Sequence, residues 1–376
     1  MEKIIIIAHY GKSLKNLRGD LIKEWIDHGS EVVALAPEEE VRDEVEALGC
    51  RYRTYSLDRA GLNPMKDLKT LRALHRIIGE EKPDKLFTYA IKPNLYGNII
   101  GRLRKVPRRF GMINGAGFIF SGEKKNFKEQ WVSRMVKMLY KTAFKNIDAV
   151  FFQNPEDQQS FEEASLLSQR TKKVRINGSG VNLERFSPGA EPLPKKAGDP
   201  VQFLFMARLL KDKGIMEYVH AAKHLKDKYP HSDFKILGPF DANPNAITEK
   251  QMNKWQQEGF IKYLGETGDV RPYLKGADVF VLPTYYKEGV PRSILEAMAT
   301  AKPVITTNTP GCRETVQQGL NGFLVEPKDT KGLIEKMEFF LQEPEKIWKM
   351  GIESRELARG LFDVNKVNQR ILNEMK

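Results

Sequence analysis

Short apolar runs alternate with longer helix-compatible stretches along this chain, and they do so in two series. In the first, Lys3 to Ala8, Glu31 to Ala36, Arg51 to Tyr55, Asp84 to Tyr89, Arg108 to Ile113 and Asp148 to Gln153 read as strands. Asn16 to His28, Glu39 to Leu48, Met65 to Glu81, Asn94 to Lys105 and Phe127 to Lys145 read as the helices between them. In the second series, Val201 to Met206, Asp233 to Leu237, Ile261 to Leu264, Asp278 to Leu282, Val304 to Thr306 and Gly322 to Val325 read as strands. Helices are expected at Gly214 to Tyr229 and Asn365 to Lys376. Such alternation predicts an α/β fold, with mostly parallel sheets covered by helices on both faces. The segment Pro188 to Pro200 (PGAEPLPKKAGDP) separates the series and reads as an interdomain linker.

A length of 376 residues suits two domains. The formal net charge of +12 suits an anionic ligand, an acidic membrane surface or nucleic acid, without choosing among them. Two cysteines, Cys50 and Cys312, do not make a disulfide framework and fit a reducing compartment. Ile4 to Ile7 is too short for a signal peptide, and no run approaches the roughly 20 apolar residues of a membrane helix. A cytoplasmic protein is expected, with any membrane contact peripheral.

The stretch Tyr285 to Thr300, YYKEGVPRSILEAMAT, carries the chemistry. The run before it ends as a strand at Pro283, and a loop then presents Glu288. Pro291 suits the first turn of a helix because it has no N–H to leave unbonded. Backbone N–H groups around Gly289, Val290 and Arg292 then lack intrahelical acceptors, and such a helix start attracts phosphate. Gly289 allows close approach to the backbone. Glu288 in the loop and Glu296 further into the helix can grip two parts of one elongated ligand.

Arg208 follows the strand Val201 to Met206, and Lys213 precedes the next helix. Ligands of open α/β sheets bind beyond the carboxyl ends of the strands, so both cations are expected in the same crevice. Two fixed cations in one crevice suit an anionic ligand. The sequence has neither a D-x-D pair nor a G-x-G-x-x-G, which weakens metal-dyad and dinucleotide readings. His220 and His224 are one helical turn apart, but no Cys or carboxylate cluster supports a metal site there.

EGVPRSILEAMA resembles the E-x7-E signature of retaining glycosyltransferases of family 4. The resemblance covers nearly the whole chain and is strongest from Val201 to Pro327. It implies a GT-B fold: two Rossmann-like domains facing across a cleft, here 1–190 on the acceptor side and 191–359 on the nucleotide-sugar side. It also implies a C-terminal helix, 360–376, crossing back to the first domain. By motif, Glu288 would contact the donor sugar, Glu296 the ribose, and Arg208 and Lys213 the diphosphate. Tyr263 and Leu264, in FIKYLG, would meet the base through backbone groups. No metal or other cofactor is implied.

YAIKPNLYG (Tyr89 to Gly97) and the central motif look closest to bacterial enzymes of lipid-linked oligosaccharide and surface polysaccharide synthesis. The resemblance therefore implies a UDP-sugar donor, an N-acetylhexosamine or related sugar, and a polyprenyl-diphosphate-linked saccharide acceptor. Tyr89, Lys92 and Asn114 fall at strand ends and are expected to face the cleft, with Asn16 opening the first helix. The family's N-domain His has no obvious counterpart here. Arg134, Lys137, Lys141 and Lys145 form a basic stripe, and Phe127, Trp131, Met135 and Met138 are read as an apolar face. Such a helix can lie on an anionic membrane or guide a lipid diphosphate, or simply pack on the core. A GT-B UDP-sugar 2-epimerase and a non-catalytic nucleic-acid-binding protein are the alternatives. No nucleic-acid motif supports the second, and no nucleic-acid partner is expected.

Overall fold

The computed structural model describes the chain except for residues 59–62, 117–119, 121–126, 190–193 and 288, and the side chains of 127–129. Two compact units emerge. One is Met1–Ser179 with Asn365–Lys376, and the other is Gly180–Val364.

The described residues of the first unit form a seven-stranded parallel sheet. Its strands are β1 (Lys3–Ile7), β2 (Glu31–Ala36), β3 (Arg51–Thr54), β4 (Lys85–Tyr89), β5 (Arg108–Ile113), β6 (Ala149–Phe152) and β7 (Lys172–Arg175). The order is β3-β2-β1-β4-β5-β6-β7. Successive side chains of a strand point to opposite faces. Ile4 and Ile6 accordingly enter one core with Trp25 and Phe87, and Ile5 and Ile7 enter the other with Leu74 and Phe144. The terminal helix Val364–Met375 places Val367, Ile371, Leu372 and Met375 in the first of these cores.

The second unit repeats the plan with β8 (Gln202–Met206), β9 (Asp233–Leu237), β10 (Lys262–Tyr263), β11 (Val279–Leu282), β12 (Val304–Thr307) and β13 (Gly322–Val325). Its order is β10-β9-β8-β11-β12-β13, all parallel. The strand order reverses between β8 and β11, whose Phe203 and Leu204 pair with Val279 and Phe280. A reversal of this kind opens a crevice at the carboxyl ends of the two strands.

The chain passes between units at Ser179–Gly180 and Val364–Asn365, not at the proline-rich segment. Val181 and Phe186 are buried in the second unit's core, which draws this stretch into it. Val181 N–H donates to Phe362 O (2.7 Å), and Val364 N–H donates to Val181 O (3.1 Å). The first helix also starts earlier than expected, at Gly11 rather than Asn16. Gly11 N–H is held by Glu38 Oε2 at 2.7 Å, and a Cβ on Gly11 would sit 2.3 Å from Val41. Glycine at position 11 is what lets the helix start press against Val41. Strand β7 and the helix Pro155–Glu163 are additions to the sequence reading. The strand is an edge of largely exposed Lys and Arg with one buried Val174, so its apolar signal is weak.

Candidate active site

At the β8–β11 reversal lies a cleft of about 300 Å³ whose lining includes Arg208, Lys213, Pro291, Arg292 and Glu296. Five residues separated by as much as 88 positions in sequence are thus neighbours, all within the second unit.

Each is delivered by local constraints. After β8, Leu209 and Leu210 bury in the core and tilt the chain so that Arg208 stays at the cleft. The short 3-10 turn Lys211–Lys213 follows, closed by Gly214 at φ 78°. A Cβ on Gly214 would lie 2.1 Å from Pro283 O, so only glycine lets this turn press against the end of β11. The Asp212 carbonyl accepts from Tyr285 N–H and Tyr286 N–H, both at 2.9 Å, and from Thr284 Oγ1 at 3.2 Å. The Lys213 turn and the loop leading to Glu288 are therefore pinned together. Glu288 itself lies outside the described residues.

Helix Arg292–Ala299 buries Ile294, Leu295, Ala297, Met298 and Ala299. Its remaining face, Arg292, Ser293 and Glu296, lines the cleft. Pro291 is the N-cap in extended conformation, one residue ahead of the first-turn position read from the sequence. The first amides of the helix have no intrahelical acceptor and carry the positive end of its dipole, which favours an anion. Glu296 Oε1 accepts from Arg292 Nε at 2.8 Å, and Arg208 pairs with Asp241 at 2.8 Å. Lys213 is 8% exposed, with Nζ 5.0 Å from the centre of the Tyr286 ring.

Four expected residues stand behind the cleft surface. Gly289 and Val290 are buried beneath it. Tyr263 Oη is spent on Gly238 O (2.9 Å), and Leu264 N–H on Ile236 O (2.8 Å). Neither Tyr263 nor Leu264 lines the cleft; Glu266 and Thr267, just past Gly265, do. The reason is that β10 is a two-residue edge strand and the chain turns at Gly265 (φ 78°) before it reaches the cleft. Gly238 and Asp241, at and beyond the end of β9, are the other contributions missed by sequence reasoning. Gly238 is required where it stands, because a Cβ there would overlap Ala207 O. His220 and His224 are both exposed, and among the described residues no group of three or more His, Cys, Asp or Glu can hold a metal ion.

Residues 191–357 match the family described as Glycosyl transferases group 1, and residues 14–154 the family described as Glycosyl transferase 4-like. An N,N'-diacetylbacillosaminyl-diphospho-undecaprenol alpha-1,3-N-acetylgalactosaminyltransferase of Campylobacter jejuni is 30% identical over 380 residues, spanning 98% of this chain and 97% of the relative. The protein is a glycosyltransferase of this group 1 family. A UDP-Gal:alpha-D-GlcNAc-diphosphoundecaprenol alpha-1,3-galactosyltransferase of Escherichia coli is 28% identical over 73% of this chain and 70% of its own length. The fold matches a sucrose-phosphate synthase from Thermosynechococcus elongatus with a TM-score of 0.80 at 19% identity, covering 99% of this chain and 98% of that one. The glycosyltransferase accordingly has the GT-B fold.

In the first unit of the glycosyltransferase, the expected acceptor-side residues have the following surroundings. Lys92 is not a free cation: Nζ pairs with Asp67 Oδ1 at 2.8 Å, and the two side chains are only 11% and 12% exposed. Tyr89 is fully buried, its hydroxyl 2.8 Å from Ser13 Oγ and its ring 5.2 Å from the Arg18 guanidinium. Burial pushes its phenol up to about 12, so it stays protonated. Asn114 Oδ1 accepts from Gln153 (3.1 Å) and Arg18 (3.4 Å). Tyr89 lies in the unit's interior, and Lys92 and Asn114 are part-buried at its edge. Asn16 is exposed on the second turn of its helix instead of opening it.

Helix Phe127–Ala143 also departs from its expected phase. Val136, Tyr140 and Ala143 are buried, whereas Trp131 is 61% and Met138 56% exposed. Both share the outer face with the exposed Arg134 and Lys141. Lys137 is half-buried, with Nζ 4.7 Å from the Phe120 ring centre. The Phe127 side chain lies outside the described residues.

Proposed function

We propose that this glycosyltransferase moves a sugar from a UDP-sugar to a hydroxyl of a polyprenyl-diphosphate-linked saccharide. The transfer retains the anomeric configuration and needs no metal ion. The observation that carries the reading is the convergence of Arg208, Lys213 and the start of helix Arg292–Ala299 on one cleft with Glu296. Two cations and a helix N-terminus match a diphosphate, and a carboxylate beside them matches the hydroxyls of a ribose. The two bacterial relatives, an N-acetylgalactosaminyltransferase and a UDP-Gal-dependent galactosyltransferase on diphosphoundecaprenol-linked sugars, support the donor and acceptor classes. An N-acetylhexosamine is the proposed sugar.

In this scheme Glu288 orients the donor sugar and Glu296 holds the ribose. The bond between the anomeric carbon and the β-phosphate oxygen breaks while Arg208, Lys213 and the helix start take up the charge. The acceptor oxygen bonds to the anomeric carbon on the same face, and its proton passes to the departing phosphate oxygen. Trp131, Met138, Arg134 and Lys141 hold the enzyme to the anionic cytoplasmic membrane surface where a lipid-linked acceptor resides. Nucleic acid has no part in this scheme.

The test is UDP release from a panel of UDP-sugars, with and without EDTA, for wild type and Glu288→Ala. Release from one sugar, unchanged by EDTA and lost in the variant, is expected. No release from any of them, together with no UDP binding, would overturn the reading.

A further inference from the structure

The cleft contains an ion pair that the proposed scheme leaves without a role. Arg292 Nε donates to Glu296 Oε1 at 2.8 Å, and the side chains are 18% and 13% exposed. Both residues line the cleft, four positions apart on one helix face. Surface pairs at this spacing contribute little. This pair is different in two ways. It is largely removed from solvent, and its backbone cannot rotate away, because Ile294, Leu295, Ala297 and Met298 are fully buried on the opposite face.

We infer that Arg292 is a positioning residue, which fixes the Glu296 carboxylate in the rotamer needed to accept the two ribose hydroxyls. The inference rests on the proposed role of Glu296. An ionised carboxylate has about four acceptor sites on two oxygens. Arg292 occupies one on Oε1, so the group can still take two hydroxyl donors from a neighbouring ribose. A glutamate has three rotatable bonds and loses rotamer freedom when a ligand immobilises it. A guanidinium already bound to it in the free enzyme removes much of that cost in advance. The planar, always-charged fork of arginine suits this task better than lysine, whose ammonium is a flexible point charge. Arg208, paired with the more exposed Asp241, stands on the other strand's loop and serves the diphosphate side.

The experiment is calorimetric binding of UDP and of 2′,3′-dideoxy-UDP to the full-length wild type, Arg292→Met, Arg292→Lys and Glu296→Gln. The readout is the affinity ratio of the two nucleotides, which a general loss of folding or of phosphate binding does not change. Wild type is expected to prefer UDP by roughly tenfold or more, the scale of charge-assisted hydrogen bonds. In Arg292→Met the ratio should fall to within about twofold while affinity for the dideoxy nucleotide is largely kept, with Arg292→Lys intermediate. The ratio in Arg292→Met/Glu296→Gln should then match either single variant. A wild-type ratio retained in Arg292→Met, even with weaker binding of both nucleotides, overturns the inference and assigns Arg292 to the diphosphate or the fold. Absence of any preference in wild type overturns the ribose role of Glu296 itself. If Arg292→Met does not fold, Arg292→Gln gives the same reading.

Discussion

Lys213 holds its ammonium 5.0 Å from the centre of the Tyr286 ring, at the mouth of the cleft. The aromatic face attracts the cation, while 39% of the tyrosine remains exposed. Removing the ring should therefore act on the departing diphosphate through Lys213. Lys213→Ala is expected to lower kcat about 100-fold, as for loss of one preorganised charge-stabilising group. Tyr286→Ala should lower it about 3- to 10-fold, and Tyr286→Phe should leave it near wild type, because the ring and not the hydroxyl faces the ammonium. Steady-state UDP release measures all three.

Asp67 and Lys92 make a largely buried pair in the first unit. Removing one partner strands the other charge. Lys92→Met is expected to destabilise the protein by about 3 kcal/mol, and Lys92→Met/Asp67→Asn by less than that. Urea unfolding of the single and double variants checks the order. A double variant weaker than the single would count against the pair.

Glu81 governs acid stability. Burial pulls its carboxyl upward, but hydrogen bonds and charge from Arg51 and Arg53, with charge from Lys3, outweigh this and hold it at about 2. A folded pKa below the unfolded one means the stabilisation is complete above about 4.5 and is lost as pH falls toward 2. The contribution is on the order of 2 to 3 kcal/mol. Glu81→Gln should lower stability at pH 7 and flatten the decline of the urea midpoint between pH 5 and pH 2.

Trp131 and Met138 interleave with Arg134 and Lys141 on the outer face of one helix. Co-sedimentation with phosphatidylglycerol-containing vesicles should exceed that with neutral vesicles and fall with added salt. Each of Trp131→Ala, Arg134→Glu and Lys141→Glu is expected to reduce it by about fivefold, as one interfacial contact contributes about 1 kcal/mol. Equal binding to neutral and anionic vesicles would remove the proposed membrane role.

The second unit was the more legible half. Its site residues sit at the ends of buried strands, where an apolar run, a glycine and a proline announce the turn. Arg208, Lys213, Pro291, Arg292 and Glu296 stand out in this way, and all five line one cleft. Tyr263 and Leu264 fall a few residues short of the cleft lining, on a two-residue edge strand that carries almost no periodic signal. Asp241 reaches Arg208 from an irregular loop, which no local pattern reports. Lys92 stands three residues past the end of β4, in the helical turn that follows, and its partner Asp67 comes from a helix 25 residues earlier. The phase of helix Phe127–Ala143 was available in principle: Trp131, Arg134, Met138 and Lys141 follow one another at steps of three and four, and so share one stripe. Reading the apolar and basic residues as separate faces concealed this.

The Asp212 carbonyl accepts from Thr284, Tyr285 and Tyr286. That single oxygen is a rivet between the turn that carries Lys213 and the loop that leads to Glu288. Donor choice is then hard to retune by changing sugar contacts alone, since any shift of the 284–286 loop is also a shift of Lys213. In the proposed scheme Thr284, wholly buried and four residues ahead of Glu288, becomes a place where a conservative change to Val would alter which sugars are transferred by loosening that joint.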